Sequence, residues 1–97
     1  MLFEDIKIPK GWKKVKNNTI ERNDKVIAIR YEYKPFGGAL VVENPRFWPS
    51  QTYNVDDAKI QSSINKLVNK YKNLKTKDEV TKFHTSQPFV FGPRKVI

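Results

Sequence analysis

The chain has 97 residues, a formal net charge of +9 and no cysteine, which excludes a disulfide framework, thiolate–zinc ligation and a cysteine nucleophile. Its length suits one domain with one core, one sheet face against one helix. A balance this basic favours polyanionic partners, because lysines and arginines that neutralise phosphates release condensed counterions.

The opening MLFEDIKIPKGW is acidic early and lacks a long apolar core, so no secretory leader is expected there. No apolar run approaches 18 residues, so no membrane span is expected, and the cytoplasm is the expected compartment. Next, KGWKKVK sets Lys10, Lys13, Lys14 and Lys16 around Trp12. Two readings apply: a basic strip whose indole stacks on a base, or a buried Trp12 on an edge strand that its lysines protect from further pairing. Asn17-Asn18 and Asn23-Asp24 are hairpin-turn pairs. KVIAIRYEYK is the strongest strand signal. Ile27, Ile29, Tyr31 and Tyr33 point one way, and Val26, Ala28, Arg30, Glu32 and Lys34 the other. Pro35 and Gly37-Gly38 supply a turn before ALVVE returns as another strand.

Residues 44–53 read as a stiff loop in which Pro45 and Pro49 hold Arg46, Phe47 and Trp48. Asn54 is the expected N-cap of a helix from Val55 to about Asn73, with Ile60, Ile64, Leu67, Val68, Tyr71 and Leu74 as its apolar seam. Lys59, Lys66, Lys70 and Lys77 fall along one flank of that helix at 100° per residue, with no acid among them. They would follow a phosphate backbone, or else snorkel around the edge of the core. Thr76 to Glu79 is a capping-box pattern for a short second helix through Phe83, and PFVFGPRKVI reads as a short strand or an extended arm.

The expected fold is therefore α+β: a three- to four-stranded antiparallel meander (1–44), the aromatic loop (44–53), one long amphipathic helix (54–74) packed on one sheet face, and a short C-terminal helix and strand or arm (76–97). No catalytic constellation emerges. His84 is the only histidine, and Asp24 and Glu32, which mimic part of a nuclease pattern, would stand roughly 26 Å apart at ~3.3 Å per residue along one strand. No metal or cofactor is expected.

The leading functional expectation is a non-catalytic nucleic-acid-binding protein, of a size and composition that suit a phage or mobile element. DNA or RNA phosphates would meet Lys13, Lys14, Arg30, Arg46, Lys59, Lys66 and Lys70, with Trp12, Phe47 or Trp48 for stacking. The alternative is a protein-interaction module, a small inhibitor or adaptor. It would dock on an acidic partner through Phe47, Trp48, Phe89 and Phe91, aromatic anchors with charge steering the approach. An unpaired first or last strand would also offer an edge for a homodimer.

Overall fold

The computed structural model of the protein describes residues 3–34, 37–44, 47–86 and 95–96. The elements in chain order are β1 (Trp12–Lys16), β2 (Thr19–Arg22), β3 (Ala28–Lys34), β4 (Gly37–Asn44), β5 (Phe47–Val55), α1 (Ile60–Tyr71), α2 (Lys77–Ser86) and β6 (Lys95–Val96), with 3-10 turns at Phe3–Asp5 and Asp57–Lys59. The fold is α+β, and the meander is longer than the sequence predicts. Five antiparallel strands lie in chain order, and β6 adds a short parallel pairing to β5.

The first hairpin turns at Asn17-Asn18, and Asn18 then ties the turn to β3. Its carbonyl accepts from Tyr31 N–H (2.8 Å) and its side-chain amide donates to the Tyr31 carbonyl (3.2 Å). The second turn follows Asn23-Asp24. There the Asp24 carboxylate accepts from Val26 N–H at 3.1 Å, and Lys25 takes a positive φ of 62°.

Directly opposed residues of antiparallel strands share a face. Ile20 stands against Ile29, Ile29 against Val42, Tyr31 against Leu40 and Leu40 against Tyr53. On this apolar face α1 lays Ile60, Ile64, Leu67 and Tyr71, all buried, with Val68 and Leu74 packed at the margin. The alternation in β3 holds as far as Tyr31, whose ring stacks on Phe3 at 6.0 Å and whose hydroxyl donates to Asp57. One step on, Tyr33 is 81% exposed. The covering layer ends at Tyr31, so Tyr33 lies beyond it.

Three expectations are corrected. The aromatic segment is a strand: β5 pairs with β4 from Val55 back to Phe47. Ser50 opposes Glu43 while Phe47 opposes Asn44, so Trp48 and Pro49 form a bulge, where a residue without an N–H is tolerated. The capping residue is Asp56, which caps the 3-10 turn leading into α1 by accepting from Ala58 N–H at 2.9 Å; α1 itself starts at Ile60 without a side-chain cap, and Asn54 is still in the strand. Finally, α1 stops at Tyr71, and Lys77 opens α2, so Lys77 is not on the α1 lysine row. The Thr76–Glu79 box forms: Thr76 Oγ1 accepts from Glu79 N–H and donates to the Glu79 carboxylate, both at 3.2 Å, and α2 runs on to Ser86.

Candidate nucleic-acid interface

From Lys59 to Lys77 the chain has no acidic residue, and α1 occupies the middle of that stretch. Its buried seam leaves Ser62, Asn65, Lys66, Asn69 and Lys70 exposed. Lys59, Lys66 and Lys70 fall within about 40° of one another on one flank, a row about 16 Å long at the helical rise. Lys59 and Lys66 make no ion pair among the described residues. Lys70 is more constrained. Its ammonium lies 5.2 Å from the Tyr53 ring centroid and 5.8 Å from that of Phe83, where α1, β5 and α2 meet. Those rings hold Lys70 against the core edge, a cation–π role on top of any contact with solvent.

The opposite flank of α1 carries the N-terminal segment. Gln61 clasps it through both ends of its amide: Lys7 N–H donates to Oε1 at 2.6 Å, and Nε2 donates to the Lys7 carbonyl at 3.1 Å. The same Nε2 also approaches Asn65 Oδ1 at 3.3 Å. Beside this clasp runs a groove of about 320 Å³ lined by Lys7, Ile8, Pro9, Lys10, Gln61 and Asn65, with no acid in its wall. The clasp brings Lys7 and Lys10, at the start of a second acid-free lysine segment (Lys7 to Lys16), beside α1.

The remaining expected site residues scatter. Trp12 is 9% exposed and belongs to the core, which removes it as a stacking platform. The other four residues of β1, Lys13, Lys14, Val15 and Lys16, are exposed on an edge strand, the protected-edge arrangement. Lys14 stands opposite Ile20, on the helix side of the sheet, and its ammonium donates to the Glu4 carbonyl at 3.3 Å. Lys13 is opposite Glu21, on the other side.

Arg30 lies on the sheet face away from α1, opposite Thr19 and Val41. Its guanidinium bonds Glu32 and, at 3.3 Å, Glu43. Burial alone would lower the Arg30 pKa, but the two carboxylates outweigh it and hold the pKa above its ordinary value. Its Nε and Nη1 donors are thus directed to carboxylates. Arg46, Phe89 and Phe91 lie outside the described residues, as do the side chains of Phe47, Trp48 and His84.

Lys7, Gln61 and Asn65 were not singled out in the sequence. A weak signal for them exists in the amide pair Gln61/Asn65 at i, i+4, which shares one helix flank. No helix of the described residues is long and apolar enough to cross a membrane, and no group of three or more His, Asp or Glu side chains among them is placed to hold a metal ion. No protein-family model matches the chain, and comparisons with curated proteins and with solved structures return no significant match.

Proposed function

We propose that the protein is a non-catalytic nucleic-acid-binding module that grips phosphates with the outer face of α1 and the N-terminal segment clasped beside it. One observation carries this reading: α1 has no acid, Lys59 and Lys66 stand free on one flank, and Lys7 and Lys10 line the other. Of the acids just before Lys59, Asp56 caps the 3-10 turn and Asp57 accepts from the Tyr31 hydroxyl, while Glu4 and Asp5 are exposed just before Lys7. Lys13 and Arg30, on the far side of the sheet, lie outside the contact surface; Lys14 sits at its margin.

The test is fluorescence anisotropy with labelled single- and double-stranded DNA and RNA at about 50 and 200 mM salt. Three or four phosphate contacts imply an affinity loss of at least about ten-fold between those salts. Lys59→Gln with Lys66→Gln should weaken all sequences alike and flatten the salt slope by about 1.4 for a single strand, while Lys13→Gln leaves both unchanged. Absence of binding at the lower salt would overturn the reading.

A further inference from the structure

Resting on that reading, we propose that the groove between the N-terminal segment and α1 holds one nucleotide of an unpaired strand, so that the protein prefers single-stranded to duplex nucleic acid. The argument starts from donors. Asn65 Oδ1 is occupied by Gln61 Nε2, which turns the carbonyl of Asn65 inward to the clasp and leaves its NH2 group with no acceptor among the described residues. Lys7 and Lys10 line the same groove, and both side chains are exposed. Two ammonium groups and an amide NH2, with no carboxylate in the wall, are a donor set for a phosphate or for the acceptor edge of a base.

The apolar part of the wall decides between strand forms. Ile8, 37% exposed, and Pro9 sit between the two lysines. A duplex presents charged phosphates and sugars outward and keeps its base faces stacked inside, so it has no flat apolar surface to lay on Ile8 and Pro9. An unpaired nucleotide does: its base face can lie in van der Waals contact on Ile8 and Pro9 while its phosphate meets the lysines, an aliphatic counterpart of the aromatic stacking that single-strand binders use. The groove's size, about 320 Å³, is at the small end for ligand sites and suits one unit rather than several. The clasp keeps it preformed: Gln61 fixes the backbone at Lys7, so the Ile8–Pro9 wall does not have to be ordered on binding.

The experiment compares one labelled strand of about 15 nucleotides with its blunt duplex at about 50 mM salt, for the wild type, Ile8→Ser and Asn65→Ala. Both substitutions fall on exposed positions and leave the core untouched. The wild type should bind the strand about ten-fold more tightly than the duplex. Each variant should lose about three- to ten-fold for the strand and nothing for the duplex, the size of one lost hydrogen bond or one uncovered aliphatic side chain. In parallel, the Asn65 side-chain NH2 resonance should shift on titration with the strand and stay put with the duplex. Equal binding of strand and duplex, with both variants behaving as wild type, would overturn the groove proposal and leave the phosphate-binding reading standing. No binding of either at this salt would overturn both.

Discussion

Arg22 is the side chain on which the end of α1 depends. It is 9% exposed, and its guanidinium reaches the Tyr71 carbonyl at 3.2 Å, the Leu74 carbonyl, and both Asp24 oxygens at 2.8 and 2.9 Å. The last carbonyls of a helix lack intrahelical donors, and here a residue from β2, about fifty positions earlier, supplies them. Burial would raise the Asp24 pKa, but the Arg22 hydrogen bond and the Val26 N–H outweigh it and hold the carboxyl below its ordinary value. Only a planar fork serves three partners at once. Arg22→Lys should therefore cost about 1–2 kcal/mol, and Arg22→Leu about 3, because the Leu74 carbonyl loses the guanidinium, the Tyr71 carbonyl is left with the Leu74 N–H and Asp24 with the Val26 N–H. Urea denaturation would read this as a lower midpoint at unchanged m-value. An Arg22→Lys protein as stable as wild type would show that the fork is not what holds the helix end. Nothing in TIER or RNDK marks Arg22 for this task, because its partners are fixed only when the chain folds.

At the scale of elements, legibility follows periodicity. β3 was readable because Ile29 and Tyr31 alternate with Ala28 and Arg30, and α1 because Ile60, Ile64, Leu67 and Tyr71 recur on one face. β5 was not, since the bulge at Trp48 and Pro49 breaks the two-residue period at the point where proline already argues for a loop. The helix start slipped for a related reason: Asn54 and Asp56 are both good caps, and the strand pairing of Asn54 with Ala39 decides between them. The β2–β3 turn was placed correctly but its strained residue was not. Lys25, next to the expected Asn23-Asp24, takes the left-handed conformation, which costs an L side chain roughly 1–2 kcal/mol. Lys25→Gly should stabilise the protein by about 0.5–1 kcal/mol and raise Tm by about 4 °C, read by thermal melting. A lower Tm would mean that the lysine side chain has a packing role that outweighs the strain.

For the whole molecule, the sheet separates two electrostatic settings. On one side Arg30 is bonded to Glu32 and Glu43; on the other, α1 and the clasped segment carry lysines with few acids nearby. The lysine row was legible from helical arithmetic alone. The second half of the surface was not, because the Lys7–Gln61 clasp joins positions 54 residues apart. Tyrosines make stability depend on alkaline pH. Burial and the Asp57 carboxylate push Tyr31 up to about 12, and burial with the Tyr53 hydroxyl at 2.8 Å raises Tyr71 further. Both are raised above the ordinary 10.0, so the unfolded chain loses these protons first. Their contribution is full below pH 10 and is lost as pH rises from about 10 towards 12. Melting temperatures across that window should fall less steeply for Tyr31→Phe than for wild type; identical slopes would assign the alkaline loss to other groups.

The chain-order meander has a consequence for how the protein is made. Each strand from β2 to β5 pairs with the one synthesised just before it, so the sheet can close hairpin by hairpin as the nascent chain emerges, with little loop-closure entropy to overcome. Ile29, Leu40, Val42 and Tyr53 then wait uncovered for α1 and α2, which follow β5 in the chain. A ribosome stalled after β5 would hold a nearly complete sheet with a greasy, unroofed face. Such a face would invite chaperone binding until translation of residues 56–86 supplies its two helices.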